Sequence, residues 1–339
     1  MKSSEIIKNF ENEIKTGKVS ASYLFYGDRR VDLLHYALIF SKMVITRDVK
    51  NEVTKLQIEK QIDNLVHPDI EIINKNNGNI KIDEVREIIY ETIESSFNSP
   101  KKIFIIFGVE NLRKESANAL LKTIEEPPKD VYFILLSRTL NIIPTIKSRV
   151  IKFHLESLSS FELEIDKKTY DFFDGNENDI KLFKKNYLEK NITLESFSFK
   201  IKTVEDILKN ISEMQNYLFY NSENGNYLDL VIKYNKSIEF LVKEVKFWNM
   251  ENIYFMLNEL EIEVKKNREF LINFLAKIII NAKVILNSEN LKKLIEIKNS
   301  VRNNVNIRSI LFNFFNILYD VWRLKKILAI LINWEVFFD

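Results

Sequence analysis

Apolar and polar positions alternate with two different periods along the chain, and the change falls near residue 155. The clearest stretch is Lys102 to Val150, KIFIIFGVENLRKESANALLKTIEEPPKDVYFILLSRTLNIIPTIKSRV. Its opening run, Ile103 to Phe107, is too short for a buried helix and is bounded by Gly108, the pattern of a strand buried on both faces of a parallel sheet. A helical period follows, with Leu112, Ala117, Leu120, Leu121 and Ile124 on one side, and Pro127-Pro128 stop it. Val131 to Leu136 predicts a second buried strand. A loop with Pro144 then leads through Ser148-Arg149-Val150 to a third strand-like segment ending at Leu155. Strand, helix and strand at this spacing form a βαβ unit, so the front of the chain reads as α/β.

The same reading extends to both sides. MKSSEIIKNFENEIKTG predicts an amphipathic helix with Ile6, Ile7, Phe10 and Ile14 on one face. Tyr23-Leu24-Phe25-Tyr26-Gly27 predicts a first strand, followed by a helix over Val31 to Met43 and a charged helical segment before His67. His67-Pro68-Asp69 reads as a turn into a strand over Ile70 to Ile73. Asp83 is placed to cap the next helix, with Val85, Ile88, Ile89 and Ile93 toward the core. Beyond 155 the pattern turns helical. Asp174-Gly175-Asn176 breaks a helical stretch that resumes over Ile180 to Leu188. Predicted helices then follow at Val204–Leu218, Tyr227–Val245, Asn252–Val264, Phe270–Leu286, Leu291–Ser300 and Ile307–Trp322, with a tail from Lys325 to Asp339.

Composition sharpens that division. All five prolines lie at or before Pro144, and only Gly175 and Gly225 among the six glycines lie beyond it, as a helical array after an α/β domain requires. Lys and Arg number 50 against 48 Asp and Glu, so no global basic field points to nucleic acid, and any such contact needs a local patch or a partner. The absence of cysteine excludes disulfides, thiolate zinc sites and cysteine nucleophiles, and fits a cytoplasmic protein. Nowhere do 18 uncharged apolar residues run together, so no membrane span is expected.

Two motifs carry a family resemblance. Ser116-Ala117-Asn118-Ala119-Leu120-Leu121-Lys122-Thr123-Ile124-Glu125-Glu126-Pro127-Pro128 resembles the signature helix of bacterial clamp-loader ATPases of the AAA+ class, and Pro144-Thr145-Ile146-Lys147-Ser148-Arg149 resembles that family's arginine-finger motif. The resemblance implies a P-loop NTPase-like α/β domain over 1–155, a small helical lid over 156–205 and an all-α collar for oligomerisation over 206–339. Arg302-Asn303-Asn304-Val305-Asn306 is similar to the close of that collar.

Against the family pattern the nucleotide chemistry is eroded. A working P-loop runs Gly, four residues, Gly-Lys-Ser/Thr, so that backbone N–H groups cradle phosphates, the Lys neutralises them and the hydroxyl holds magnesium. Counted from Gly27, the second Gly is Asp32, the Lys is Leu33 and the Ser/Thr is Leu34. Those leucines read as core of the following helix. Active members end the strand matching Ile103 to Ile106 in Asp-Glu, which bind magnesium and polarise water; here Phe107 and Gly108 stand there, and Glu110 is two residues further on. Intrinsic ATP hydrolysis is therefore not expected. The four-cysteine zinc module that the family often carries between Met43 and His67 is missing, and His35 and His67 have no ligand spacing.

Arg149 keeps its motif, with Ser148 before it and Val150 where the family commonly has cysteine. The resemblance implies a finger in trans: its guanidinium would neutralise charge developing on phosphate bound by a neighbouring subunit. ATP and magnesium would then sit on that neighbour, with no cofactor here. Lys122 stands where the family faces DNA. The implied partners are a motor subunit of the gamma/tau kind, a delta subunit, the sliding clamp and primer-template DNA, in a hetero-pentamer of a bacterial replicative polymerase. Two other classes stay open. One is a diverged but active AAA+ ATPase, against which the lost Gly-Lys-Ser/Thr weighs. The other is a DNA-binding or scaffold protein reusing the fold, against which Ser148-Arg149 weighs.

Overall fold

The computed structural model describes residues 3–16, 19–74, 80–94, 96–199, 201–220, 227–244, 250–264, 267–301, 303 and 305–335. The chain divides into two compact units, Met1–Leu182 and Phe183–Asp339.

The first unit is built on a parallel sheet in the order β2-β3-β4-β1-β5, with β1 at Ser22–Tyr26, β2 at Ile70–Ile73, β3 at Lys102–Phe107, β4 at Val131–Ser137 and β5 at Ile151–His154. Successive side chains point to opposite faces of each strand, and each face carries its own core. On one face Tyr23, Phe25, Ile103, Ile105, Ile134, Leu136 and Phe153 pack against Ile6 and Phe10 of helix α1 (Ser3–Thr16) and Tyr36 and Phe40 of α2 (Leu33–Thr46). α3 (Glu52–Asp63) adds Ile62 to that core from the charged segment before His67. On the other face Leu24, Phe104, Ile106, Phe133 and Leu135 meet α4 (Ile82–Glu91), α5 (Lys114–Glu125) and Ile146 of the short helix α6 (Pro144–Lys147). Two covered faces explain why β3 and β4 read as unbroken apolar runs.

Helix ends follow local chemistry, with one departure from the sequence reading. Asp83 does not cap α4. The helix starts one residue before it, Glu84 Oε2 accepts from the N–H of Lys81 at 2.6 Å, and Asp83 pairs with Arg86 at 2.9 Å. Ile93, expected in the core, lies beyond the helix end and is 76% exposed. Asp69 is buried, and its two oxygens accept from the N–H groups of Phe97, Asn98 and Ser99, so the His-Pro-Asp turn anchors the approach to β3.

Helix α7 (Lys167–Phe172) belongs to the first unit, and α8 (Glu177–Asn186) runs across the division at Leu182, so the segment 156–205 contributes to both units. In the second unit Phe183, Tyr187 and Phe197 form an aromatic group. Among the described residues the helices α9 (Val204–Tyr220), α10 (Tyr227–Glu244), α11 (Met250–Val264), α12 (Arg268–Ala282), α13 (Ser288–Ser300) and α14 (Ile307–Glu335) follow. Ile232, Ile238, Met256, Leu271, Phe274, Leu275, Leu311 and Phe314 are all buried among them. Arg302 and Asn304 of the collar-like motif lie outside the described residues, as do residues 336–339 of the tail.

Candidate functional site

In an open parallel sheet, ligands bind in the crevice outside the carboxyl ends of the strands. Here the ends of β1, β3 and β4 bring together the loop after Tyr26, the turn at Phe107-Gly108 and Ser137-Arg138. Gly27 is required by close approach, since a Cβ there would lie 2.6 Å from the carbonyl oxygen of Leu155. Gly108 has φ 69°, left-handed backbone that a side chain disfavours.

The loop amides of Gly27, Arg30, Val31, Asp32 and Leu33 are engaged within the protein. Gly27 N–H donates to Ser137 O at 3.2 Å, Val31 N–H to Asp28 O at 3.2 Å, and Leu33 N–H to Val31 O at 3.1 Å. Arg30 N–H donates to Asp28 Oδ1 at 2.9 Å. Asp32 N–H faces Glu177 Oε2 at 3.5 Å, and Asp32 itself caps α2, accepting from His35 N–H at 3.1 Å. Thus the residue in the place of the second P-loop glycine is a helix cap. Leu33 is buried and Leu34 packs against the same core, as their chemistry requires.

A guanidinium lies against this loop. Arg138, an exposed residue, donates from Nη1 to the carbonyl oxygens of Asp28 at 3.0 Å and Val31 at 2.8 Å, while its backbone N–H donates to Glu110 Oε1 at 3.0 Å. Partial desolvation of the guanidinium head pushes Arg138 below its ordinary value, against the pull of Glu110, Asp32, Asp28 and Glu177. Burial also raises the Asp28 carboxyl, but hydrogen bonds from Arg30 outweigh it and leave Asp28 below the usual carboxylate range. The other oxygen of Glu110 is buried without a hydrogen-bond partner.

Glu177 closes the arrangement from α8. Its side chain is 0% exposed; Oε1 accepts from Leu158 N–H at 2.9 Å, and its own N–H donates to Arg30 O at 2.9 Å. Burial raises its pKa, opposed by the Leu158 bond and by Lys181, whose Nζ lies 3.9 Å away. Arg138 and Glu177 were not singled out by the sequence reading. Arg138 had a signal, its place just after a strand end. Glu177 had none, because it acts on a loop 145 residues earlier.

The finger motif occupies a different edge of the same unit. Ser148 is the C-cap of α6 and its Oγ donates to Thr145 O at 3.1 Å, which shapes the turn that Arg149 follows. Arg149 Nε donates to Glu125 Oε2 at 2.6 Å and Nη1 to Thr145 O at 3.1 Å, with the Arg149 side chain 32% exposed. Val150 is buried, so the position where cysteine is common packs inward. Lys122 is exposed on α5. The structure does not bring Arg149 to the crevice residues.

The family described as "DNA polymerase III, delta subunit" matches residues 2–159. Relatives include a DNA polymerase III subunit gamma from Buchnera aphidicola subsp. Schizaphis graminum, 31% identical over 164 residues, covering 47% of this chain and 44% of that one. They also include the DNA polymerase III subunit delta' of Bacillus subtilis, 28% identical over 146 residues, covering 42% of this chain and 44% of that protein. In both cases the match spans less than half the relative's length. The solved structure of a DNA polymerase III gamma subunit-related protein from Thermotoga maritima covers 92% of this chain and 99% of that chain, with TM-score 0.51 and 15% identity, a likeness of fold.

Proposed function

We propose a function for a chain that carries, at residues 2–159, a domain of the clamp-loader family of DNA polymerase III, and whose fold is the AAA+ clamp-loader arrangement of a parallel-sheet domain followed by a helical region. It serves as a subunit of the delta-prime kind that hydrolyses no ATP itself. It supplies Arg149 in trans to the ATP site of a gamma/tau-type subunit and so helps load the sliding clamp on primed DNA. ATP and magnesium sit on that neighbour; a delta subunit completes a cytoplasmic hetero-pentamer. Among the described residues no helix is long and apolar enough to cross a membrane.

The observation that carries this reading is the engaged loop. A phosphate cradle works through unspent N–H groups, a lysine and a hydroxyl on magnesium. Here the N–H groups of Gly27, Arg30, Val31 and Leu33 have partners inside the protein, and the Arg138 guanidinium donates to two carbonyl oxygens of the loop. Phe107 offers no metal ligand, and the residues do not fit a nucleotide's phosphates. Arg149 supports the second half of the reading, since it is held at the surface by neighbours that leave donors open.

The test is ATP turnover by a reconstituted assembly of gamma/tau, delta, clamp and primed DNA with this chain. The chain alone should be silent in turnover and should show no ATP binding. Turnover by the chain alone would instead favour a diverged ATPase. Failure to associate with a gamma/tau subunit would favour a scaffold or DNA-binding protein.

A further inference from the structure

Resting on that reading, we infer that Glu125 is a positioning residue for Arg149, one that orients the guanidinium so that its outer edge faces a neighbour's phosphate. A guanidinium carries five N–H donors in a fixed plane. Glu125 Oε2 takes Nε at 2.6 Å, and Thr145 O takes one N–H of Nη1 at 3.1 Å. Among the described residues nothing else accepts from Arg149, so Nη2 and the second N–H of Nη1 stay open. These form the pair that meets two phosphate oxygens side by side.

The two anchors stand on rigid parts of the fold. Glu125 is the last residue of α5, and Pro127-Pro128 follow after the C-cap Glu126. Its neighbour Ile124 is buried, and the Ile124 carbonyl accepts from Ser22 Oγ at 2.8 Å, which ties the helix end to β1. Arg149 is bracketed by buried Ile146 and Val150. Glu125 itself is 54% exposed, so the pair adds little to folding, as is usual for surface ion pairs. Its value is orientation: a long side chain otherwise free among rotamers is already aimed when the neighbour arrives. The two motifs of the sequence thereby become one device, with the signature helix supplying the carboxylate and the finger motif the guanidinium.

The experiment uses the same reconstituted assembly with Glu125→Ala, Glu125→Gln, Arg149→Ala and the Glu125→Ala/Arg149→Ala double variant. We expect Glu125→Ala to lower clamp- and DNA-stimulated kcat about fivefold with KM for ATP unchanged, as for an interaction expressed in the transition state. Glu125→Gln, which keeps an acceptor for Nε, should restore most of it. In the Arg149→Ala background Glu125→Ala should add nothing, because residues acting as a unit are not additive. Undiminished turnover in Glu125→Ala, or an equal loss in the Arg149→Ala background, overturns the inference while leaving the finger intact. Faster turnover in Glu125→Ala also overturns it, making Glu125 a competitor of phosphate. If Arg149→Ala itself changes nothing, the finger reading fails and Glu125 falls with it.

Discussion

Two arginines of the first unit, Arg138 and Arg149, are put to different uses by the fold. Arg138 is an exposed residue that lays Nη1 on two backbone carbonyls of the loop after β1, with Glu110 and Glu177 close by. Arg149 is held at the surface by one carboxylate and one carbonyl, with donors left over. Each guanidinium spends two of its five N–H groups on the protein. What separates them is the choice of partner: Arg138 spends a single nitrogen on two carbonyls of one loop, whereas Arg149 is held along its Nε side by a carboxylate from another helix.

The largest expected effect is on Arg149. Arg149→Ala should assemble normally yet lower stimulated turnover by about tenfold or more, given that fingers in well-studied GTPases contribute roughly 10³–10⁵ in rate. An intact rate in a correctly assembled complex would erase the contrast between the two arginines.

Next comes Arg138. Arg138→Ala takes the second donor from the Asp28 and Val31 carbonyls, which keep the N–H groups of Val31 and Leu33, and should cost about 1–2 kcal/mol of stability by urea unfolding. Calorimetry should still detect no ATP binding by this variant, because the loop amides keep their internal partners. ATP binding there would show that Arg138 alone blocks the pocket. Glu177→Ala removes a buried carboxylate serving Leu158 N–H and should cost a similar amount, about 1–3 kcal/mol. An unchanged urea midpoint would mean that water replaces it readily.

The smallest effect is a control at the sheet's other edge. Burial, with Glu91 as hydrogen-bonded neighbour and opposed by Lys102, pushes Glu71 up to about 8. A carboxyl raised on folding contributes its full stability below its ordinary value near 4.5 and loses it as pH climbs through about 8. The urea midpoint should therefore fall more between pH 5 and pH 8.5 for the natural chain than for Glu71→Gln. Trans turnover at a fixed pH should not respond to this change. A drop would mean that edits far from Arg149 also reach it.

Much of this was legible from the chain. The apolar runs of β3 and β4 gave their strands because both faces of the sheet are covered, and Pro127-Pro128 gave the end of α5. The α4 start was read two residues too late because a capping carboxylate leaves the same trace whether it comes from Asp83 or reaches back from Glu84. Ile93 misled because a helical period says nothing about where the helix stops. The departure of Asp32, Leu33 and Leu34 from the P-loop pattern was visible; the partners the fold gives to this loop were not. Arg138 and Glu177 converge on the loop only through tertiary folding, and pairings at that separation leave no local period to read. The Glu125–Arg149 pair joins two motifs that the sequence showed side by side but not in contact.

The engaged loop also bears on history. Restoring lysine at Leu33 and threonine at Leu34 would place two polar groups in a packed core. It would leave Gly27, Arg30 and Val31 still bonded elsewhere. Each single step back toward a nucleotide site would lower stability before any phosphate could be held. Under the proposed function this works as a ratchet: with the loop bonded to itself, a return to nucleotide binding requires several changes together, and dependence on a neighbour's ATP becomes hard to reverse.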